Sequence, residues 1–292
     1  MTVNNTMRQF RHLLCLDVES WIFSKAIVSK NFTISELRKL DDGYTLRALT
    51  YALNTLRRYD QKITFFVAVK LEELYPGFIE KILADGHEVG WHTYSHATIT
   101  SRKILQEELD RSADVIEKYK IRGFQAPAIT FIREGYSLLR EYGFLYSSSL
   151  YGDSNAVYNF DGIFEIPVSV SRPNLSLKEE DIMFPSHMKP WNFLRYGIPF
   201  GSSFFWSLLR TPYYVHTLQR AQEQRRVCNL FIHEWQLVPF ELPQYRHEAR
   251  FLSHPLFYFY RKNVSTMFEH LLSAFSFGRC IDYLQEVTRP PA

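Results

Sequence analysis

The stretch KITFFVAVKLEELYPGFIEKILADGHEVGWHTYSH, residues 62–96, decides the fold. Residues 62–69 are β-rich and apolar, residues 71–85 carry an amphipathic helical pattern that Asp85-Gly86 stops, and residues 88–91 return to strand. Two strands joined through a helix lie parallel in one sheet. Working outward, the same alternation continues in both directions. A strand is expected at 12–18 and a helix at 44–59 before the stretch. After it come a helix at 101–119, a strand at 123–126, a helix at 133–142 and strands at 146–149, 164–170 and 227–235. A helix at 264–275 and a strand or helix at 280–287 finish the chain. Repeated β/α units predict a parallel sheet, open or closed into a barrel, with its functional groups at the C-terminal strand ends.

The 292 residues read as a single domain, 1–292, with two additions. Residues 172–214 lose periodicity and become Pro-punctuated and aromatic, an insertion expected to cover one barrel mouth. Residues 236–292 form a C-terminal extension. Hydrophobic content of 46%, charged content of 22% and a net charge of +3 suit an ordinary globular protein and give no basic patch for nucleic acid. Cys15, Cys228 and Cys280 are spaced for neither a disulfide framework nor a paired metal motif, so buried thiols are expected. No apolar run reaches the length of a membrane span. The first 20 residues lack a secretory pattern, which predicts a cytoplasmic protein. Oligomeric state is not legible.

Chemistry concentrates at three strand ends. Asp17 and Glu19 are two residues apart, so an extended chain points both carboxylates into one pocket. His92 and His96 are four apart and meet one ion if the segment turns helically. Two histidines and one carboxylate suit a divalent cation while leaving open positions for water and substrate. His87 opens the same segment and is read as structural.

The motifs LCLDVESW (14–21), ITFFV (63–67), HEVGWHTYSH (87–96), GFQAPAITF (123–131), GFLYSSSLY (143–151), FEIPVSV (164–170) and NLFIHEW (229–235) resemble, in order and interval, those of the polysaccharide deacetylases, carbohydrate esterase family 4. The resemblance is nearest to the exopolysaccharide-biosynthesis branch, in which a Gly-rich aromatic segment such as PFGSSFFWSLL (199–209) precedes the last catalytic strand. It implies a distorted (β/α) barrel of about seven parallel strands. It also implies a metal-dependent N-deacetylase with one divalent ion, zinc first, with cobalt, iron or nickel as alternatives. By the same resemblance Asp17 is the general base, Glu19, His92 and His96 hold the metal, His233 is the general acid, and the Ala128 backbone N–H helps bind the oxyanion. Two positions depart from the family: Gln125 stands where an arginine pairs with the base, and Ser147 where an Asp is frequent.

The substrate implied is an N-acetylated amino sugar in a glycoconjugate, sugar nucleotide or glycosylated metabolite of a biosynthetic pathway. Trp235, Tyr94 and Trp206 are the expected substrate contacts. The insertion's rings, Trp191, Phe193, Tyr196, Phe200, Phe204, Phe205 and Trp206, read either as a stacking groove or as a hydrophobic cap. Other readings of the same site are a deformylase, a cyclic-amide hydrolase or a non-catalytic sugar-binding protein.

Overall fold

The computed structural model describes residues 11–23, 32–171, 197–239 and 263–289. Its sheet starts from β1 (His12–Val18), β2 (Thr64–Val67), β3 (Glu88–Trp91), β4 (Gly123–Phe124) and β5 (Tyr146–Ser147), each parallel to the next. Short β6 (Tyr151–Gly152), β7 (Tyr158–Phe160), β8 (Ile163–Glu165) and β9 (Val168–Ser169) follow, then β10 (Asn229–His233) and β11 (Phe277–Gly278). The order β10-β1-β2-β3-β4-β5-β8 is parallel throughout. These seven strands curl into the distorted barrel expected from the sequence. Antiparallel β7 extends the path beyond β8, and β11 pairs with the start of β1.

The helices are α1 (Ile34–Asp41), α2 (Tyr44–Arg58), α3 (Lys70–Leu74), α4 (Phe78–Ala84), α5 (Arg102–Tyr119), α6 (Gly135–Glu141), α7 (Ser203–Glu223), α8 (Ser265–Ala274) and α9 (Cys280–Val287). Local signals set several ends. Thr33 and Glu36 form a reciprocal capping box on α1, and the Ser101 hydroxyl accepts from the Ile104 N–H to start α5. The helix expected over 71–85 is instead two, α3 and α4. Pro76 lacks an N–H and Gly77 sits at φ +83°, so the ladder cannot run through them.

Alternation along β1 sorts the core. Leu14, Leu16 and Val18 join the layer under the helices, whereas Leu13 and Cys15 join a second cluster with Phe66, Tyr146 and Phe231 inside the barrel. Asp17 has the same parity as Leu13 and Cys15 at the top of that interior. The C-terminal segment joins the same packing: α8 contributes Phe268 and Leu271 to the outer layer, and α9 contributes Cys280, Tyr283 and Leu284 to the inner cluster. All three cysteines are buried and free, with Cys15 and Cys280 sulfurs 3.5 Å apart.

Three features differ from the sequence expectation. The strand expected over 164–170 is split into β8 and β9 around Pro167, which has no N–H to give a ladder. The segment 172–214 is not all irregular: its end is the start of α7, bent where Arg210 takes φ +57° and ψ 162° two residues before Pro212. Trp191, Phe193 and Tyr196 lie outside the described residues. Between β9 and β10, Gly201 takes the place of a strand, its N–H donating to Ser169 O at 3.0 Å and its carbonyl accepting from Phe231 N–H at 2.8 Å. The Asn229 amide crosses the same gap to the carbonyls of Ile166 and Pro167, at 3.1 and 3.2 Å. Among the described residues no helix is long and apolar enough to cross a membrane.

Candidate active site

Strand register assembles the site. Asp17 is paired with His233 on one side and Phe66 on the other, Val67 with Trp91, and Trp91 with Phe124. The residues just past these pairs, Glu19, His92 and Gln125, therefore emerge at one end of the barrel. The turn after β1 is clamped there by Glu234, whose carboxylate accepts from the Ser20 N–H at 2.8 Å and the Glu19 N–H at 3.3 Å. Ser20, at φ +51°, donates its hydroxyl to Asp41 at 3.1 Å, and Tyr75 donates to the same carboxylate at 2.5 Å. Sequence reasoning did not single out Glu234, although it directly follows the predicted acid.

Glu19, His92 and His96 each offer a ligand atom within 4.8 Å of the others. The His92–His96 segment is not helical as the spacing suggested. It bends through left-handed Thr93 and His96, at φ +64° and +60°, and still sets the two rings 5.1 Å apart. His92 Nδ1 is 2.9 Å from the Gln125 carbonyl, the contact that assigns the proton to Nδ1 and leaves the Nε2 lone pair 3.5 Å from Glu19 Oε2. His96 Nε2 lies 2.5 Å from the same oxygen. Neither Nε2 has a hydrogen-bond partner although both are buried. Two orphaned imidazole nitrogens converging on a carboxylate are a donor set that fits a divalent cation.

Asp17 is buried beside this set. The orientation of the Gln125 amide that satisfies both groups puts its nitrogen 2.5 and 2.8 Å from the two Asp17 oxygens. Burial, then the charges of Glu19 and Glu234, push the Asp17 carboxyl well above its usual range. Glu19 goes the other way. Burial opposes its ionisation, but attraction to His96 and His233 and the close approach of the His92 and His96 rings hold it well below the usual range. Burial lowers His92 to about 4 and also lowers His233.

His233 Nε2 is 3.5 Å from Glu19 Oε1. The Trp235 indole lies flat against its ring, with centroids 4.8 Å apart and planes at 9°, and donates to Glu19 Oε1 at 3.3 Å. Trp235 is thus already engaged with two site residues. Ala128 stands in a tight turn at φ +55°, with Ile129 beside it at φ +49°. Both line a cavity of about 110 Å³ together with Asp17, Glu19 and His233. Its remaining wall is Tyr151, Ser202, Ser203 and Phe231, none of which the sequence reading selected.

Other predicted residues sit elsewhere. Tyr94 is buried, its hydroxyl donating to Glu73 at 2.6 Å and its ring covered by the Arg111 guanidinium at 3.8 Å. Trp206 is buried with its ring 5.2 Å from that of Tyr214. Neither lines the cavity that holds Asp17, Glu19 and His233. Both are core neighbours because their faces are already covered. Ser147 lies beneath the site and donates to Ser149 at 2.8 Å. His87 accepts from the Ile63 N–H at 3.2 Å, a structural role. A larger cavity of about 410 Å³, between α7 and the loop carrying Asp153, contains none of the predicted site residues; donor chemistry, not size, selects the smaller one.

The polysaccharide deacetylase family model matches residues 39–146. A peptidoglycan-N-acetylmuramic acid deacetylase of Bacillus subtilis is 31% identical over 98 residues, 33% of this chain and 20% of that protein. Over that stretch the chain is similar to the polysaccharide deacetylases. A peptidoglycan-N-acetylglucosamine deacetylase of Bacillus cereus is 34% identical over 68 residues, 23% of this chain and 24% of that family member. These matches span a quarter or less of the two relatives' lengths. Over the whole fold, the chain is similar to a Mycobacterium smegmatis structure assigned as a polysaccharide deacetylase, with TM-score 0.57, 16% identity and coverage of 98% and 96% of the two chains. An allantoinase structure shares the fold at TM-score 0.54 and 14% identity, covering 96% of this chain and 91% of its own.

Proposed function

We propose that this chain hydrolyses an N-acetyl group from an amino sugar, releasing acetate and the free amine. The observation that carries the reading is the convergence of His92 and His96 on Glu19, which lines one cavity together with Asp17 and His233. A divalent cation held by the first three would polarise the scissile carbonyl and acidify water. Asp17 takes the proton from the attacking water, held in orientation by the Gln125 amide. His233 gives a proton to the departing nitrogen, and stacking on Trp235 fixes the plane of its ring. The Ala128 N–H, at the cavity edge, donates to the developing oxyanion.

The test is acetate release by the metal-loaded protein from a panel of N-acetylated sugars, with N-formyl and cyclic-amide compounds alongside. His233→Ala is expected to lower turnover by roughly 10²- to 10⁴-fold with metal retained. The loss should be smaller on an aryl acetate, whose phenolate leaves unprotonated; equal loss on both removes the acid role. Sugar binding without acid release from any compound would identify a non-catalytic sugar-binding protein instead.

A further inference from the structure

We propose that the cavity of about 410 Å³ between α7 and the loop carrying Asp153 is a second binding site, one that takes a small organic phosphate, a ring body bearing a phosphate group. The inference does not rest on the deacetylase reading. This cavity shares no lining residue with the one that holds Asp17, Glu19 and His233. The two lie at opposite ends of β10, which begins just after Val227 and Cys228 on the wall of the larger cavity and finishes at His233. At the usual rise of a strand, Cys228 and His233 are roughly 16 Å apart.

The walls are held by contacts of their own. The Val227 N–H donates to Asn155 Oδ1 at 2.7 Å, and its carbonyl accepts from Asn155 Nδ2 at 3.1 Å and from the Ser154 hydroxyl at 2.6 Å. Arg226 pairs with Asp153 at 2.6 Å. These bonds fasten the loop after β6 to the start of β10. The facing wall is one side of α7, where Tyr213, His216, Thr217, Arg220 and Ala221 recur at the helical spacing that lines side chains up.

Charge decides the ligand. Asp153 is the one carboxylate among the described lining residues, and Arg226 already occupies it. The Arg220 guanidinium has no ion-pair partner among the described residues, and His216 stands one turn before it; both are exposed at the rim. An arginine in the last turn of a helix also suits the macrodipole. Here it borders a concave, preformed space as well, and its fork of donors matches the oxygens of a phosphate. Val170, Phe200 and Cys228 are buried and form an apolar floor, with the Tyr213 ring edge-on to Phe200 at 6.2 Å. A ring body packs there. A cation would meet Arg220 and Arg226, and a wholly apolar molecule would leave the Arg220 charge unanswered.

A sugar phosphate and a nucleoside monophosphate share this chemistry, and titration calorimetry of the full chain separates them. The probes are glucose 6-phosphate, uridine monophosphate and inorganic phosphate. At least one organic phosphate should bind with a Kd below about 1 mM and at least about 10-fold more tightly than inorganic phosphate, and the tighter of the two identifies the body. Arg220→Gln should weaken that binding about 10- to 100-fold. Thr217→Trp, which fills the cavity and leaves its charges in place, should weaken it at least as much. His92→Ala, at the other cavity, should leave it unchanged. No binding by either organic phosphate, binding no tighter than that of inorganic phosphate, or wild-type binding in Arg220→Gln or Thr217→Trp overturns the inference. So does loss of binding in His92→Ala, which would place the ligand at the other cavity. Acetate release enters none of these readouts, so failure of the deacetylase reading leaves this test intact.

Discussion

The Gln125 amide faces the Asp17 carboxylate, with its nitrogen 2.5 and 2.8 Å from the two oxygens. The same residue's carbonyl takes the His92 Nδ1 contact at 2.9 Å. One residue thus orients the proposed base through its side chain and a proposed metal ligand through its backbone. Gln125 is fully buried and is not among the residues lining the cavity.

The division of labour can be tested. Gln125→Ala should lower kcat by about 10- to 100-fold, the range for a hydrogen bond to a charged group, while metal content stays at wild-type level because the carbonyl remains. Metal analysis beside steady-state kinetics checks both halves. Loss of metal from the variant would mean that the side chain supports His92 as well.

Trp235 should act through Glu19. Trp235→Phe keeps a ring against His233 but deletes the N–H that donates to Glu19, so zinc affinity is expected to fall about 10-fold. Equilibrium dialysis against zinc measures it directly. Unchanged affinity would reduce the indole to a packing role.

Gly201 holds the barrel closed because nothing larger fits. A Cβ there would stand 2.4 Å from the Asn229 carbonyl oxygen and 2.8 Å from the Ser169 nitrogen, both backbone atoms of the strands it bridges. Gly201→Ala should cost about 1–3 kcal/mol and lower Tm. Chemical denaturation at fixed pH gives the value; a variant as stable as wild type would show that the bridge is not a tight constraint.

Acid should weaken the fold through His87. Burial, then the charge of Lys62, lowers its pKa from 6.5 to about 4. Between those two values the unfolded chain binds the proton and the folded chain does not. This contribution is therefore complete above pH 6.5 and is lost as pH falls towards 4. His87→Gln keeps an acceptor for the Ile63 N–H without titrating. Its denaturation midpoint should fall less steeply than that of the wild type between pH 6.5 and 4, and parallel curves would refute the assignment.

The sequence by itself determined the alternation of strands and helices from residue 12 to residue 147 and with it the parallel sheet. Periodicity and helix stops are local, and each β/α unit carries its own. It also determined which residues converge on the site, because Asp17, Glu19, His92 and His233 sit at strand ends, where parallel register brings distant segments level. Tertiary structure alone decided what surrounds them. Glu234 clamps a turn 214 residues away, and Asn229 and Gly201 close the barrel through contacts with no spacing to betray them. Tyr94 and Trp206 read as binding aromatics until packing covers their faces with Arg111 and Tyr214. Burial is a property of neighbours brought together by the whole chain, and so a pattern along one segment cannot specify it.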